Sequence, residues 1–288
     1  MQCVRPIILH GKQFPCTKCI ACRIATRREW SLRMMHELHY HKDSSFVTLT
    51  YDDDHIPDFA SLRKSHFQKF MKRLRKRLLE RKIRYFACGE YGETTQRPHY
   101  HMILFGLSLR DPDKQLVKDS WEYCDWSNRT IERNSFGMVE PESIQYVAGY
   151  IDKKFTGELA EREYKDKNRE PVFKVSSQGL GRQYCDDYQE EFLDNQFIRY
   201  RGNKVSIPRY YLKRLDIKSD FFDTEENNQR KKEKHYQLMS HYAEQEIRTI
   251  DDMVLARSSE KIKQREIKSK RQYERNLRSK AQLKQSKL

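Results

Sequence analysis

The chain has 288 residues, 37% of them hydrophobic and 34% charged, which is enough for one substantial core with an appended segment or for two small domains. Its net charge of +15 favours a polyanionic partner, and its 17 tyrosines and 14 phenylalanines, which can stack on bases, make nucleic acid the expected one. The sequence has no run of about 18 apolar residues and no apolar segment after its first charge, which argues against a membrane span, a membrane partner and a signal peptide and predicts a location in the cytoplasm.

Residues 1–42 form the first predicted segment, in which a cysteine-rich stretch precedes a helix. Cys16, Cys19 and Cys22 have the spacing of a thiolate metal site, and Cys3 can supply the fourth ligand of a tetrahedral structural Zn²⁺. A group of reduced, buried thiols explains the spacing equally well, whereas an iron–sulfur cluster is less favoured because no other redox motif accompanies it. The seven cysteines are an odd number, which argues against a disulfide scaffold in a reducing compartment.

Residues 43–215 form the second predicted segment, an α+β domain. Its predicted elements, in chain order, are a strand over 46–51, a helix that starts at a capping box of Ser65 and Gln68, a strand over 83–89, the strand that holds His99, a helix over 114–123, a strand near 136–139 and a helix over 141–155 that opens at Pro141. The charged residues 157–170 predict a loop or a solvated hairpin, and a short strand is expected over 172–175. This order predicts helices that flank a mostly antiparallel sheet.

Residues 216–288 form the third predicted segment, a basic tail. The sequence from Glu225 onward has no glycine and no proline, which predicts a long, partly ordered helix. Between Arg257 and Leu288, twelve Lys and Arg residues stand against three Glu residues. Such a tail either binds phosphates or is a solvated, disordered charge run, and its composition supports both interpretations.

Two histidines flank one tyrosine at the start of a predicted buried strand. Because side chains alternate along a strand, His99 and His101 point to the same side about 7 Å apart and can clamp one divalent metal ion. Such an ion also favours a carboxylate ligand, and Glu90, at the end of the preceding strand, can return beside the histidines through a hairpin. Glu93, in the connecting loop, is the alternative third ligand. Packing is the usual role of two strand histidines, but the acid upstream and the tyrosines downstream favour a metal.

Tyr146 and Tyr150 share one face of the predicted 141–155 helix, because they are four residues apart. Lys153 and Lys154 follow Tyr150 closely enough to stabilise a phenolate, so the four residues together predict a catalytic site. Attack of a tyrosine on a DNA phosphodiester leaves a 5′-phosphotyrosine and frees a 3′-hydroxyl, and a second nucleophile can later rejoin the strand. Core packing is the commoner role of tyrosines at this spacing, but the lysines and the metal clamp favour catalysis.

Four basic residues outside this site are predicted to contact DNA. Arg97 precedes the histidine strand, and Arg182 ends a glycine-containing loop whose backbone N–H groups can bind phosphate. Arg209 and Lys213 belong to a run of bases mixed with aromatic residues. The chain lacks the Gly-x-x-x-x-Gly-Lys-Ser/Thr phosphate-binding motif, so we expect a host helicase to unwind the duplex.

The chain resembles the replication initiation proteins of the microviruses, most closely those of the gokushovirus branch. Residues 15–23, 46–53, 89–101 and 146–154 carry the resemblance. It implies the His-hydrophobe-His (HUH) endonuclease fold, with the histidine strand in the middle of an antiparallel sheet and the tyrosine helix alongside. It also implies Mg²⁺ or Mn²⁺ at His99 and His101, and nucleophiles at Tyr146 and Tyr150. Gly149 departs from the family's pattern, which often has a basic residue between the tyrosines.

The resemblance further implies rolling-circle replication from a single-stranded DNA origin in the cytoplasm of a bacterial host, where a host polymerase extends the new 3′ end. Two alternatives stay open at this point. A plasmid initiator or mobilisation relaxase shares the same chemistry, whereas a non-catalytic single-stranded DNA-binding protein needs only the charge and the aromatic residues. The paired tyrosines and the acid before the histidines favour the enzymes.

Overall fold

The computed structural model describes residues 3–10, 12–92, 94–153, 158–195 and 197–217, together with 271, 272 and 275. The strands are β1 Ile7–Leu9, β2 Lys12–Phe14, β3 Ser44–Thr50, β4 Arg84–Tyr91, β5 Pro98–Phe105, β6 Phe136–Gly137, β7 Phe173–Ser176, β8 Ile198–Tyr200 and β9 Asn203–Val205. The α-helices are α1 Ile20–Leu38, α2 Lys64–Arg77, α3 Asp113–Ser120, α4 Arg129–Ser135, α5 Pro141–Gly149, α6 Glu158–Ala160, α7 Arg182–Asp187, α8 Gln189–Asn195 and α9 Arg209–Arg214. Most of the predicted basic tail lies outside the described residues.

The chain divides into two compact units, and the larger one, Thr26–Gln189, is built on an antiparallel sheet. Its five strands lie in the order β6-β3-β5-β4-β7, so the histidine strand β5 is at the centre. Every pairing in this sheet is antiparallel. The predicted α+β class and the antiparallel sheet flanked by helices are therefore confirmed.

Alternation along the strands separates two hydrophobic clusters, one on each face of the sheet. Tyr100 and Met102 of β5 point to the first face, where they pack with Phe67 and Phe70 of α2. Ile103 and Phe105 of β5 point to the opposite face, where they pack with residues of α1 and α5. Since successive side chains of a strand point to opposite faces, His99 and His101 lie on the face that α5 covers.

The helix α2 is confirmed, but its predicted capping box is wrong. The helix starts at Lys64, so Ser65 lies inside its first turn, and the N-cap residue Arg63 makes no side-chain capping bond. The backbone N–H of Lys64 instead donates to a carboxylate oxygen of Glu170 at 2.9 Å. A distant acid thus serves the helix N-terminus, which sequence proximity does not reveal.

The charged stretch predicted as a loop or hairpin is helical. It holds α6 and a π-helical segment, Glu161–Lys165, in which the N–H of Asp166 donates to the carbonyl of Glu161 at 2.9 Å. Tyr164 is buried there and belongs to the first hydrophobic cluster. One apolar anchor in a charged segment was too weak a periodic signal to predict this helix.

The smaller unit contains Met1–Ala25 and Glu190–Lys287. Its described part includes two antiparallel hairpins, β1–β2 and β8–β9, and a stack of Phe192 on Tyr211 with ring centroids 5.7 Å apart. No helix among the described residues is long and apolar enough to cross a membrane. The predicted segment boundaries after residues 42 and 215 stay predictions.

Candidate active site

His101 is held at the centre of the sheet by partners on both neighbouring strands. In the strand register it lies opposite Thr48 of β3 and Cys88 of β4. Its Nδ1 is 2.9 Å from the hydroxyl oxygen of Thr48, and its Nε2 is 3.0 Å from Oε1 of Glu90. Two short polar contacts fix the orientation of the imidazole in a buried environment.

His99 lies on the same face as His101, as the alternation predicts. The two ring centroids are 6.2 Å apart. Burial, reinforced by the neighbouring His101, lowers the pKa of His99 to about 4, so its imidazole is neutral near pH 7. Its Nδ1 is buried without a hydrogen-bond partner among the described atoms. A neutral imidazole with a free ring nitrogen is the form that binds metal ions.

Glu90 belongs to β4, directly opposite His99 in the strand register. The strand therefore continues past Gly89, where the sequence predicted a connection, and the hairpin brings the acid beside the histidines as expected. Only 4% of Glu90 is exposed, so its carboxylate is surrounded by protein and contacts the His101 ring. The alternative ligand, Glu93, lies outside the described residues.

Tyr146 and Tyr150 face His101 from the end of helix α5. Pro141 opens this helix, and Glu140 and Ser143 form a capping box. The α-helix ends at Gly149, and Tyr150 begins a 3₁₀ turn that runs to Lys153, so the prediction of one α-helix over 141–155 is wrong in its last turn. Glycine is a poor helix former, which explains the change at this position.

The two tyrosines remain adjacent despite this change of helix type. Their ring centroids are 5.0 Å apart. The Tyr150 ring stacks on His101 with centroids 4.8 Å apart and planes 2° apart, whereas Tyr146 meets the same imidazole edge-on at 5.5 Å. Tyr150 is 6% exposed and Tyr146 is 38% exposed. The site therefore holds one buried and one accessible phenol.

The electrostatic environment of Tyr150 keeps its phenol protonated. Burial raises the pKa of Tyr150, and the nearby Glu90 carboxylate and Tyr146 raise it further. Cationic neighbours would oppose this shift, but the side chain of Lys153 and all of Lys154 lie outside the described part of the chain. Their predicted catalytic role stays a prediction.

Sequence reasoning missed the β3 side of the site. Thr48 contacts His101, and the ring of Phe46 lies 6.1 Å from the His101 ring and 6.2 Å from that of Tyr146. The alternation in β3 puts Phe46 and Thr48 on one face. The sequence contains this signal, but only the strand order shows that β3 pairs with the histidine strand.

The predicted DNA-contacting residues are found in different settings. Arg97 donates to Asp53 Oδ1 at 2.6 Å and to the carbonyl of Tyr51 at 2.8 Å. Arg182 opens α7, and its Nε lies 3.7 Å from Asp186. Arg209 and Lys213 lie in α9, in the smaller unit. Their role in binding DNA stays a prediction.

The four cysteines of the predicted zinc site lie together in the smaller unit. The sulfur atoms of Cys3, Cys16, Cys19 and Cys22 are all within 4.8 Å of one another. Their sequence spacing therefore predicted a spatial cluster correctly.

The larger unit defines an α+β protein in which two histidines and an acid of a central antiparallel sheet face two tyrosines of a covering helix. A family model described as the replication-associated protein ORF2 matches residues 44–155, which include all of these groups.

Three known proteins are similar to this chain over most of its length. It is 34% identical to replication-associated protein VP4 of Bdellovibrio phage phiMH2K, over 73% of this chain and 76% of that protein. It is 33% identical to replication-associated protein ORF2 of Spiroplasma virus 4, over 70% of this chain and 67% of that protein. It is 32% identical to replication-associated protein ORF4 of Chlamydia phage 1, over 75% of this chain and 59% of that protein. No solved structure matches the chain significantly.

The chain therefore belongs to the family of phage replication-associated proteins. The resemblance to microvirus replication initiators, first seen in four sequence segments, is confirmed.

Proposed function

We propose that this chain starts replication by nicking single-stranded DNA at a phage origin through attack of a tyrosine on a backbone phosphate. The observation that carries the proposal is the position of both phenols against His101, with Tyr150 stacked on the ring at 4.8 Å and Tyr146 edge-on at 5.5 Å. A nucleophile beside a potential metal ligand is what metal-assisted phosphodiester cleavage requires. Packing alone would explain aromatic contacts, but not the buried Glu90 that joins them.

The donor set fits a divalent cation such as Mg²⁺ or Mn²⁺. His99 and His101 offer imidazole nitrogens, and Glu90 offers a carboxylate oxygen 3.0 Å from His101 Nε2. The unpartnered Nδ1 of His99 and the low pKa of its ring keep one donor free. When bound, such an ion polarises the phosphate and stabilises the charge that develops on its oxygens. Thr48 would hold His101 in its ligating orientation from the neighbouring strand.

The proposed reaction conserves the number of phosphodiester bonds. The tyrosine oxygen forms a bond to phosphorus while the bond from phosphorus to the 3′ oxygen breaks. The phenol loses a proton and the departing 3′ oxygen gains one, so the net products are a 5′-phosphotyrosine and a 3′-hydroxyl. A later attack by a 3′-hydroxyl reverses the step and rejoins the strand. With two tyrosines available, one can hold the first 5′ end while the other cuts the newly made junction.

The proposal extends to the family of enzymes and to the partners. A central histidine strand with a tyrosine helix on one face is consistent with the HUH endonuclease superfamily. A host helicase would open the duplex, because the chain has no nucleotide-binding phosphate loop, and a host polymerase would extend the 3′-hydroxyl. The reaction would then take place in the cytoplasm of the bacterial host, where both partners act.

Incubation of the full-length chain with single-stranded oligonucleotides tiled across the encoding genome tests this function. We expect one oligonucleotide to be cut when Mg²⁺ or Mn²⁺ is present, with its 5′ phosphate attached to the protein through Tyr146 or Tyr150, as identified by peptide mass spectrometry. The double change Tyr146→Phe plus Tyr150→Phe should abolish the adduct, whereas Tyr123→Phe, on the opposite face of the sheet, should not.

Two results would overturn the proposal. Retention of the adduct in the double tyrosine variant would exclude both nucleophiles, and unchanged metal-dependent cutting by His99→Ala would exclude the metal site. Tight binding of the oligonucleotides with no cleavage of any of them would favour a non-catalytic DNA-binding protein.

A further inference from the structure

The cysteine cluster of the smaller unit is separate from the histidine and tyrosine site and has no role in the proposed reaction. Cys3 precedes the β1–β2 hairpin and Cys16 follows it, while Cys19 and Cys22 lie at the start of α1. All four are free thiols, with Cys19 and Cys22 buried and the other two half-buried. Four sulfur atoms from two ends of a hairpin and the beginning of a helix therefore converge on one point.

The distances between the sulfurs match those around a single tetrahedral ion. A zinc–sulfur bond is about 2.3 Å long, so two sulfurs on one tetrahedral zinc lie about 3.8 Å apart. The Sγ atoms of Cys3 and Cys19 are 3.8 Å apart, and those of Cys16 and Cys22 are 4.0 Å apart. An iron–sulfur cluster spreads its cysteine ligands over different iron atoms, which requires wider separations than the 4.8 Å limit within which all four sulfurs lie.

The surrounding backbone is arranged to stabilise thiolates. The N–H of Cys16 donates to the sulfur of Cys3 at 3.3 Å, and the N–H of Cys19 donates to the sulfur of Cys16 at 3.3 Å. Hydrogen bonds to a sulfur favour its charged form, which is the form that binds metal. Buried thiols that served only as small hydrophobic side chains would gain little from such donors.

Local packing is too limited to hold this segment together. The buried cluster around the cysteines contains only Val4, Ala21 and Ile24 besides Cys19 and Cys22. The apolar side chains of β1, Ile7 to Leu9, are all exposed. Small segments that cannot bury enough apolar surface are commonly stabilised by a metal ion.

We propose that Cys3, Cys16, Cys19 and Cys22 bind one structural Zn²⁺ ion. The ion joins the two ends of the β1–β2 hairpin to the first turn of α1 and so fixes the hairpin on the helix. Four thiolate ligands fill the tetrahedral coordination, which leaves no open position for substrate. The site is therefore structural and independent of the proposed nicking reaction.

Metal analysis of the full-length chain tests this proposal. The reduced protein is supplied with Zn²⁺, dialysed without chelator, and examined by elemental analysis and native mass spectrometry. We expect one zinc ion per chain, and none in the double variant Cys16→Ser plus Cys19→Ser. Cys124→Ser is the matched control, since Cys124 and Cys19 are each 8% exposed, and should keep the ion. A His99→Ala plus His101→Ala variant should also keep it, which separates this site from the proposed catalytic one.

Cobalt substitution in the unmutated chain avoids any effect of a variant that fails to fold. Co²⁺ in place of zinc should give the intense sulfur-to-cobalt absorption and the visible bands of a tetrahedral thiolate site. The proposal is overturned if the reduced, unmutated chain retains no zinc, if cobalt shows no thiolate absorption, or if iron rather than zinc occupies the site. Loss of zinc from the two-histidine variant alone would likewise contradict it. None of these results depends on whether the chain cuts DNA.

Discussion

The ring of Tyr150 lies parallel to the imidazole of His101, with 4.8 Å between centroids and 2° between planes. This contact joins the helix that carries the tyrosines to the strand that carries the histidines. It also buries the Tyr150 phenol next to the Glu90 carboxylate, which raises the pKa of the phenol. The partner tyrosine, Tyr146, touches the same imidazole with its edge and stays accessible. The two tyrosines are therefore chemically unequal before DNA binds.

This inequality predicts that Tyr146 makes the first cut. Tyr146→Phe should slow formation of the first DNA–protein adduct by at least about 10³-fold, because it removes the accessible nucleophile. Tyr150→Phe keeps the aromatic stack on His101 and should slow the first adduct by less than about tenfold, while abolishing transfer to a second strand. Single-turnover assays with an end-labelled origin oligonucleotide measure the first step, and a second unlabelled strand reports the transfer. The reverse order of effects would assign the first cut to Tyr150.

The hydroxyl of Thr48 should determine how strongly the site binds its metal. Thr48→Val removes the contact with His101 Nδ1 but keeps the size of the side chain. Loss of such a supporting contact typically weakens metal binding by about 10 to 100-fold, so nicking should need a correspondingly higher Mn²⁺ concentration while the rate at saturating metal changes little. Thr50→Val is the matched control, since the Thr50 hydroxyl contacts only the carbonyl of the next residue, at 3.4 Å. Equal metal requirements in the two variants would contradict the role of Thr48.

The histidine pair and its partners could be predicted from the sequence because they depend on local periodicity. Two-residue alternation put His99 and His101 on one face, and a short hairpin was enough to return Glu90 beside them. The partner strand on the other side could not be predicted. Thr48 is 53 residues from His101, and only the strand order fixes their register.

The errors have a similar origin in long-range contacts and weak local signals. The N-terminus of α2 is served by Glu170, which lies 106 residues from Lys64. The segment around Tyr164 is helical because one tyrosine is buried in the core, although its charged neighbours predicted a loop. The end of α5 at Gly149 is the exception, because the low helix propensity of glycine is visible in the sequence.

Acid should destabilise the fold through His36. Burial, with a smaller contribution from His39, lowers the pKa of His36 to about 3 from an ordinary value of 6.5, and its ring stacks on Tyr184 at 3.8 Å. Below pH 6.5 the unfolded chain binds a proton at His36 that the folded chain does not, so the free energy of unfolding falls as the pH falls. The loss from this residue should be about 2 kcal/mol between pH 6.5 and 5.

Urea unfolding of the His36→Asn variant at these two pH values checks this contribution. The fall in the free energy of unfolding should be smaller in the variant than in the unmutated chain by about 2 kcal/mol, whatever the variant's stability at pH 6.5. The control is His55→Asn, since the side chain of His55 is 49% exposed, and it should leave the pH dependence unchanged. An unchanged slope in His36→Asn would show that His36 is not the group that titrates.

Arg182 and Arg97 should affect DNA binding in different ways, although both are predicted contacts. The side chain of Arg182 is 62% exposed and has only a long contact with Asp186, so it is available to bind phosphate. Arg97 is 30% exposed and already donates to Asp53 and to the Tyr51 carbonyl. Each phosphate contact on a single strand contributes about 0.7 to the slope of log affinity against log salt concentration. Arg182→Ala should reduce that slope by about 0.7, whereas Arg97→Ala should leave it nearly unchanged and instead lower thermal stability. Fluorescence anisotropy with a single-stranded oligonucleotide over a salt series measures both slopes, and a larger change in Arg97→Ala would mean that DNA displaces Asp53 from the guanidinium.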